Sequence, residues 1–368
     1  MCHQASVDEA LRLAPDLVAE AFPGQLRCLF SPQHGFFAEK QDNMVPSADG
    51  FYEPLKIPLF SLYGRRLAPE GDMLDLFDIL LVDLQDVGCR VYTFASTMFL
   101  AMEACARAGK TVVILDRPNP IGGLKTEGPI LEESWRSFVG MVRVPLRHGL
   151  TLAELALVYQ QQQALDLDLR IIPMIGWRRD LFFDQTGLPW VMPSPNMPTL
   201  ETALVYPGQV LLEGTNLSEG RGTTRPFELF GAPYIRPREV RDWLSQRGYE
   251  IPGAIFREVA FEPTFHKWQG KTCRGFQIHV QDRTLFNPLW TTAVLLQAIS
   301  QLYPQDFSLK PPPYEYDYRR LPLDLIIGHS GLREAILSGA PLVPLWEELA
   351  REWRGFLEES EGLLLYRR

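Results

Sequence analysis

The stretch Thr111-Val112-Val113-Ile114-Leu115-Asp116-Arg117-Pro118-Asn119-Pro120 decides the fold. Its first half consists of β-branched and apolar residues and its second half of polar residues and prolines, which is typical of a buried strand that ends in a loop. The segments 26–30 and 79–82 have the same apolar character, and between residues 92 and 108 the apolar side chains follow a helical spacing. Strands that alternate with helices indicate a parallel sheet covered on both faces. The sequence therefore predicts an α/β fold.

Polar side chains follow each of the three predicted strands at its C-terminal end. They are Gln33 and His34 after the first strand, Asp83, Gln85 and Asp86 after the second, and Asp116, Arg117 and Asn119 after the third. Ligands of open parallel sheets bind outside these carboxyl ends, so we expect the three loops to face a common cleft. For each aspartate taken singly, a helix cap or a turn residue is the alternative interpretation.

The segment 213–223 combines two carboxylates, an arginine, an amide, three hydroxyls and three glycines. We expect it to form a loop outside the core, because it has little apolar surface to bury and too much glycine for a stable helix. Glu213 and Glu219 would repel a phosphate, whereas two glutamates with hydrogen-bonding neighbours such as Asn216 suit a neutral sugar. A surface Ω-loop with capping residues is the alternative.

Composition and charge limit the possible partners. The chain has 368 residues, a formal net charge of -9 and five widely spaced cysteines without a CxxC pair. The charge argues against nucleic acid or an anionic membrane as the main partner, and the cysteines are typical of reduced thiols in a cytosolic protein. No apolar run reaches the length of a membrane-spanning helix, and the N-terminus lacks an export signal. We therefore expect a cytoplasmic protein with a small ligand, and the sequence leaves a homodimer open.

The sequence predicts neither a nucleotide-binding site nor a metal site. Pro118 and Pro120 stand where a dinucleotide-binding fold needs glycines, so we expect no nucleotide cofactor. His34 and the aspartates could supply metal ligands, but they form no close-spaced ligand motif, so we expect no metal site. A metal-dependent phosphohydrolase remains an alternative that rests on the aspartates alone.

The chain changes character near Pro226. Residues 1–225 carry the alternating strands and helices, a predicted capping box at Thr151 preceded by His148, and a stiff proline-rich loop that contains Asn196. Residues 226–368 carry strand patterns at 256–261 and 275–280 and helix patterns at 288–302, 330–338 and 345–358. The sequence therefore predicts two domains, the second of them a smaller α+β domain.

Several ordered motifs together resemble the bacterial exo-β-N-acetylmuramidases, a glycoside hydrolase family long described as a domain of unknown function. The motifs are Ser31-Pro32-Gln33-His34-Gly35-Phe36, Asp83-Leu84-Gln85-Asp86-Val87-Gly88, Leu115-Asp116-Arg117-Pro118-Asn119-Pro120, Pro145-Leu146-Arg147-His148-Gly149, Pro193-Ser194-Pro195-Asn196-Met197-Pro198-Thr199 and the segment 213–223. The resemblance implies a Rossmann-like N-terminal domain, an auxiliary C-terminal domain and an active cleft between them. It also implies release of N-acetylmuramic acid from the non-reducing ends of peptidoglycan fragments.

The chain departs from the family at Gln33, where members commonly carry a glutamate favoured as the catalytic residue. An amide can bind a hydroxyl or orient a water, but it cannot protonate a leaving group. The catalytic candidates that remain are Glu39, Glu127, Glu213, Glu219 and His34, and we expect at least one of these glutamates to be partly buried with a raised pKa. A non-catalytic amino-sugar or muropeptide sensor is the alternative that Gln33 favours.

The resemblance also implies a set of substrate-binding residues. They are Gln33, Asp83, Asp86, Arg90, Tyr92, Asp116, Asn119, His148, Asn196, Asn216 and Arg221. An arginine has a physical reason to be there, because muramic acid carries a lactyl carboxylate that a guanidinium can hold through two hydrogen bonds. Family members carry a further strand before the segment that matches residues 2–7, so we expect an inner position of the sheet to be unfilled here and the chain's start to be mis-assigned or trimmed.

Overall fold

The computed structural model describes residues 1–366. The strands are β1 (Leu29–Ser31), β2 (Gly50–Tyr52), β3 (Ile57–Ser61), β4 (Ile79–Val82), β5 (Thr111–Leu115), β6 (Glu127–Ile130), β7 (Pro145–Arg147), β8 (Leu169–Ile172), β9 (Leu229–Ala232), β10 (Ala254–Phe261) and β11 (Cys273–Val280). The α-helices are α1 (Ala14–Ala21), α2 (Phe94–Arg107), α3 (Leu152–Gln162), α4 (Leu200–Gln209), α5 (Pro237–Gln246), α6 (Pro288–Leu302), α7 (Pro322–Ile327), α8 (Leu332–Ser338) and α9 (Val343–Glu359).

The chain forms two compact units. Unit 1 consists of Met1–Lys125, His148–Pro195 and the segment that begins at Glu359, and unit 2 consists of Thr126–Arg147 and Asn196–Glu358. The segment 196–225 thus clusters with the C-terminal half of the chain. The domain boundary between residues 225 and 226 was inferred from a change in sequence character alone, and it stays a prediction.

Parallel strand pairing forms the centre of unit 1. β5 pairs in parallel with β4 on one side and with β8 on the other. β1 pairs in parallel with β3, whose other edge pairs with the antiparallel β2. The connections from β4 to β5 and from β5 to β8 run through α2 and α3, which makes two successive βαβ units.

The first residues of the chain lie between β1 and β4. The amide of Cys2 donates to the carbonyl of Phe30 at 3.0 Å, and the amide of Asp83 donates to the carbonyl of Met1 at 2.9 Å. Cys2 and Asp83 form a parallel bridge. Met1 and Cys2 therefore occupy one end of the inner position that we expected to be unfilled.

Local sequence explains the helices of unit 1. α2 buries ten of its fourteen residues and contacts both β5 and α3, as its apolar spacing predicts. α3 begins at a complete capping box, in which the Thr151 hydroxyl accepts from the Glu154 amide and the Glu154 carboxylate accepts from the Thr151 amide. This capping box was predicted from the sequence, and the structure confirms it.

Unit 2 combines an antiparallel sheet with packed helices. β11 lies between β10 and β9, and β6 and β7 form a separate antiparallel ribbon. The buried helix α6 contacts α4, α5 and α8. α4 approaches it closely at Gly208, where an added Cβ atom would lie 1.9 Å from the carbonyl oxygen of Pro288. Only a residue without a side chain allows this approach.

The structure confirms the predicted α/β fold with a parallel N-terminal sheet. The strand expected at 26–30 is found slightly later, at Leu29–Ser31, and the helix expected at 288–302 spans Pro288–Leu302. The helices expected at 330–338 and 345–358 are found at Leu332–Ser338 and Val343–Glu359. None of the helices within residues 1–366 combines the length and apolar character that a membrane crossing needs.

The N-terminus of α6 provides a test of helix capping in unit 2. The Asn287 side chain accepts a hydrogen bond from the amide of Trp290 at 2.8 Å. We predict that Asn287→Ala lowers the free energy of unfolding by about 1 kcal/mol, because the first turn of α6 loses its side-chain acceptor. Asn287→Asp is the matched control, since it keeps the acceptor and favours the helix dipole. Urea denaturation of the full chain measures both variants, and an equal loss in the two would contradict the capping role.

Candidate active site

A group of polar side chains gathers at the carboxyl ends of the parallel strands of unit 1. We call it the strand-end cluster, and its members are Gln33, Asp83, Asp86, Arg117, Asn119 and His148. The Gln33 amide nitrogen donates to the Tyr63 hydroxyl at 2.9 Å, and its oxygen accepts from the Thr93 hydroxyl at 2.5 Å. Gln33 is buried, and these two contacts fix the orientation of its amide.

Two neighbouring strands are tied together by an ion pair at their ends. Asp83 follows β4 and Arg117 follows β5. Arg117 holds Asp83 with two hydrogen bonds, one of them from Nη2 to Oδ2 at 2.9 Å. Arg117 was one of the polar residues predicted to follow the third strand, although it was not among the predicted substrate-binding residues and its pairing with Asp83 was not predicted.

Asp86 and His148 form a second buried pair. Nε2 of His148 lies 3.4 Å from Oδ2 of Asp86, and the same oxygen accepts from the Gly88 amide at 2.6 Å. Nδ1 of His148 accepts from the Leu150 amide at 3.1 Å, so in the neutral ring the proton is on Nε2, which faces Asp86. Asn119 donates to the carbonyl of Leu150 at 2.9 Å and thereby holds the same loop.

Asp116 is directed to α3 and to the C-terminal segment. Its carboxylate accepts from the Ala153 amide at 3.1 Å and from the Tyr366 hydroxyl at 2.7 Å. Burial raises the pKa of Asp116 to about 6, although these hydrogen bonds oppose the shift. Of the predicted site aspartates, this one has a helix-capping role of the kind that the sequence left open.

Arg90 and Tyr92 are buried on the loop that leads from β4 into α2. Burial lowers the pKa of the Arg90 guanidinium to about 10 and raises the pKa of the Tyr92 hydroxyl. Both shifts have the same cause, since each charged form loses its hydration. An anion bound beside Arg90 would favour its charged form.

His34 and Glu39 lie on the loop after β1. His34 has a φ angle of 74° and donates from Nδ1 to the carbonyl of Lys40 at 2.7 Å. Glu39 is exposed, and its carboxylate packs against Gly35, where an added Cβ atom would lie 2.3 Å from the nearer carboxylate oxygen. The backbone amide of Phe37 donates to Glu39 at 3.2 Å. Gly35 thus leaves the space that brings the Glu39 carboxylate onto the turn that carries His34.

The predicted glutamates of unit 2 belong to a network of buried charges. Arg221 donates to Glu213 at 2.7 Å and lies 3.2 Å from Glu219, and its guanidinium carbon lies 5.2 Å from the centre of the Phe227 ring. The Tyr314 hydroxyl also donates to Glu213, at 2.8 Å. The Arg221 guanidinium is therefore already paired with two carboxylates of the protein, and this pairing argues against its predicted role as a substrate ligand.

Glu219 lies at the centre of this network and is 0% exposed. Lys267 donates to it at 2.8 Å, and Nδ1 of His266 lies 3.3 Å from its other oxygen. Burial alone would raise the pKa of Glu219, but Lys267, His266 and Arg221 together hold it well below its usual range. Glu219 therefore stays ionised at neutral pH, so it is not the glutamate with a raised pKa that was expected among the four candidates.

The expectation that the segment 213–223 lies outside the core was wrong. Residues 213–215 and 217–221 are buried, and Leu217 is fully so. Lys267 donates to the carbonyls of Leu212 and Leu217 in addition to Glu219. The segment can be buried without many apolar side chains because ion pairs and hydrogen bonds satisfy its polar groups. The residues that supply these partners lie far away in the sequence, so no local pattern indicates them.

Three more predicted residues lie in unit 2. Glu127 is buried, pairs with Arg147 across the β6–β7 ribbon at 3.2 Å and accepts from the Leu289 amide at 3.3 Å. Asn216 donates to the carbonyl of Asp306 and accepts from the Tyr234 hydroxyl, which anchors its loop. Asn196 is buried. Within residues 1–366, no three His, Cys, Asp or Glu side chains are grouped so that they could hold a metal ion.

The Glu219 network predicts a specific dependence of stability on pH. Because the folded pKa of Glu219 lies below its ordinary value of 4.5, its stabilising contribution is present above pH 4.5 and is lost as the pH falls toward the folded value. We predict that Glu219→Gln flattens the fall in unfolding free energy below pH 4.5. At pH 7 the variant loses roughly 3–5 kcal/mol, because buried cations are left unpaired.

Urea denaturation between pH 3 and pH 7 measures the effect of Glu219→Gln. The control is Glu250→Gln, which changes an exposed glutamate of the same unit. Equal pH dependence in the two variants would show that Glu219 does not carry the effect.

Comparison with known proteins places the whole chain in one family. Residues 1–201 match the N-terminal domain model, and residues 204–366 the C-terminal domain model, of the exo-β-N-acetylmuramidase NamZ. The chain is 40% identical over 364 residues to the peptidoglycan β-N-acetylmuramidase NamZ of Bacillus subtilis strain 168. The aligned region covers 98% of this chain and 85% of that protein.

Two crystal structures of DUF1343 family proteins from Bacteroides fragilis NCTC 9343 share the fold. The first has a TM-score of 0.85 at 31% identity and covers 100% of this chain and 93% of that one. The second has a TM-score of 0.77 at 27% identity and covers 100% and 92%. The resemblance inferred from the sequence motifs is thereby confirmed: the chain belongs to the exo-β-N-acetylmuramidase NamZ family.

Proposed function

We propose that this protein is an exo-acting β-N-acetylmuramidase that releases N-acetylmuramic acid from the non-reducing ends of peptidoglycan fragments. The observation that carries the proposal is the 40% identity, over 98% of the chain, to a peptidoglycan β-N-acetylmuramidase. The strand-end cluster supports it, because amide, carboxylate and imidazole groups at the ends of parallel strands suit a polyhydroxylated ligand. No nucleotide or metal is part of the proposal.

The catalytic carboxylate needs a separate argument, because Gln33 cannot supply it. Glu127, Glu213 and Glu219 are buried and accept hydrogen bonds from Arg147, Arg221 and Lys267, respectively. A carboxylate held by a buried cation is a poor proton donor, since its charged form is the one that the surroundings favour. These three glutamates therefore fit a structural role better than general-acid catalysis.

Glu39 is the glutamate that fits the missing role best. It is exposed, it lies on the same loop as Gln33 and His34, and the absence of a side chain at Gly35 makes room for its carboxylate. We assign to it the general-acid function in place of position 33. The carboxylate needs only to lie within hydrogen-bond reach of the glycosidic oxygen once the sugar is bound.

Arg90 is the proposed partner of the lactyl carboxylate. Its guanidinium is buried in unit 1 on the loop that follows β4, and a guanidinium can hold a carboxylate through two hydrogen bonds. The lactyl group is the part of N-acetylmuramic acid that N-acetylglucosamine lacks. Arg90 would therefore determine specificity between the two sugars.

The role of Glu39 is tested with a chromogenic N-acetyl-β-muramide. We predict that Glu39→Gln lowers kcat by roughly 10²–10⁴-fold, the usual contribution of a positioned acid. The matched control is Glu53→Gln, which removes the charge of another exposed glutamate of unit 1 and should keep wild-type turnover. Full turnover in Glu39→Gln would reject the assignment and leave the family activity itself untouched.

Gln33→Glu tests whether the family's usual carboxylate can be restored. The Tyr63 and Thr93 hydroxyls that hold the Gln33 amide can each donate as well as accept, so they can also hold a carboxylate. We predict that the variant has higher turnover than the wild type. If the wild-type chain binds N-acetylmuramic acid without hydrolysing the muramide, and Gln33→Glu stays inactive, the sensor interpretation replaces the enzymatic one.

Arg90 is tested by comparing two substrates. We predict that Arg90→Gln raises KM for the N-acetyl-β-muramide by about 10–100-fold, as expected for a lost charge-assisted hydrogen bond of about 1.5–3 kcal/mol. The corresponding N-acetyl-β-glucosaminide has no lactyl group and serves as the control substrate, whose hydrolysis should change little. A parallel loss with both substrates, or a lowered thermal midpoint, would indicate a structural role for Arg90.

A further inference from the structure

Phe37 lies in the middle of a closed turn, residues 34–40, that follows β1 in unit 1. The Lys40 amide donates to the His34 carbonyl at 3.0 Å, and Nδ1 of His34 donates to the Lys40 carbonyl at 2.7 Å. Within the turn, the Ala38 amide donates to the Gly35 carbonyl at 3.2 Å. These bonds close the turn at its base and leave Phe37 at its apex, two residues before Glu39.

The backbone of this turn is held in an unfavourable conformation. His34, Gly35 and Ala38 have φ angles of 74°, 84° and 51°. Residues with a side chain seldom adopt the left-handed region, and they keep it only where the surrounding contacts impose it. The bonds between His34 and Lys40 therefore fix the path of the chain, and with it the position of Phe37.

The two phenylalanines of the turn have opposite surroundings. Phe36 is 2% exposed and packs with Tyr52 in the core of unit 1, whereas Phe37 is 57% exposed. Their ring centres are 4.8 Å apart and their planes are nearly perpendicular, at 89°. In a perpendicular pair the edge of one ring meets the face of the other, so Phe36 covers at most one face of Phe37. The turn thus presents an aromatic ring with an uncovered face.

The exposed ring and the Glu39 carboxylate belong to the same surface. The backbone amide of Phe37 donates to Oε2 of Glu39 at 3.2 Å, so the carboxylate lies against the residue that carries the ring. A pyranose has an apolar face of C–H groups and a polar edge of hydroxyls. An aromatic ring suits the apolar face, and a neighbouring carboxylate suits the polar edge. One sugar unit can therefore contact both Phe37 and Glu39.

Burial indicates which sugar this is. Glu39, as the assigned acid, protonates the oxygen that joins the released N-acetylmuramic acid to the sugar that leaves. Arg90, the proposed partner of the lactyl carboxylate, is 3% exposed, whereas Phe37 is exposed. The sugar at the non-reducing end therefore belongs with the buried guanidinium, and the leaving sugar, from which the rest of the glycan extends, belongs with the exposed ring.

We propose that the Phe37 ring is the stacking platform for the leaving sugar, an N-acetylglucosamine unit, and that it selects a sugar on the leaving side of the bond. The proposal rests on the proposed glycosidase function and on the assignment of Glu39. It gives the turn 34–40 two roles, since one residue contacts the sugar that leaves and another supplies its proton.

Two substrates that differ only in the leaving group test this role. One is the disaccharide N-acetylmuramyl-β-1,4-N-acetylglucosamine, and the other is β-N-acetylmuramyl fluoride, whose leaving group is a single atom. We predict that Phe37→Ala raises KM for the disaccharide by about tenfold with little change in kcat, because a binding contact is lost. The KM for the fluoride should stay at the wild-type value. The matched control is Phe51→Ala, which removes another exposed phenylalanine of unit 1, 65% exposed on β2, and should change neither substrate.

Two further variants separate stacking from folding and from simple apolar contact. Phe37→Trp keeps an aromatic face and should keep the wild-type KM for the disaccharide, whereas Phe37→Leu keeps an apolar side chain without a ring and should raise it as Phe37→Ala does. A wild-type KM for the disaccharide in Phe37→Ala or Phe37→Leu would overturn the proposal. An equal change with both substrates would also overturn it, since the fluoride has no leaving sugar.

Failure of the proposed function gives a different result. If the wild-type chain hydrolyses neither substrate, the glycosidase function is rejected, and calorimetric titration then decides the role of Phe37. Weaker binding of the disaccharide to Phe37→Ala, with unchanged binding of N-acetylmuramic acid, would support the stacking platform. Equal binding of the disaccharide to the variant and the wild type, or no binding to either, would reject it.

Discussion

The parallel pairing of β4 with β5 is the constraint on which the strand-end cluster depends. Because the two strands run side by side in the same direction, the residues that follow them leave the sheet at one edge, and Asp83 meets Arg117 there. The following loops then carry Asp86 and Asn119 to the segment that contains His148 and Leu150. Any change in the register of β4 against β5 would move both members of the ion pair, so the polar chemistry of unit 1 depends directly on backbone pairing.

Unit 2 uses charge for a different purpose. Glu213, Glu219 and Arg221 are close in sequence, yet their burial depends on Lys267 and Tyr314, which come from segments far along the chain. A buried carboxylate without these hydrogen-bond and ion-pair partners would destabilise the fold, so the network stabilises the buried position of the segment 213–223. Neighbouring cations favour the ionised form of these carboxylates, so Glu213 and Glu219 are unsuited to exchanging protons with a substrate.

Sequence patterns predicted what depends on local chemistry. Strand β5, helix α6 and the capping box at Thr151 follow from residue type and spacing within one segment, and the structure has each of them. The burial of the segment 213–223 was missed because its partners lie at residues 267 and 314. The bond that Asp116 accepts from Tyr366 comes from 250 residues later in the chain, and the partner of Asp83 depends on strand order. Composition and periodicity do not predict which charged residues pair over long distances in the sequence.

Position 33 is where this chain carries an amide and its family commonly carries a carboxylate. Its amide is held from both sides by hydroxyls, and a hydroxyl can donate to a carboxylate as readily as it accepts from an amide. These two hydroxyls at position 33 therefore suit either side chain. Glu39 lies on the same loop, and its carboxylate occupies the space that a side chain at Gly35 would need. A carboxylate at position 39 has the same strand end as its support as a carboxylate at position 33, so a chain with Gln33 could still place an acid on this loop.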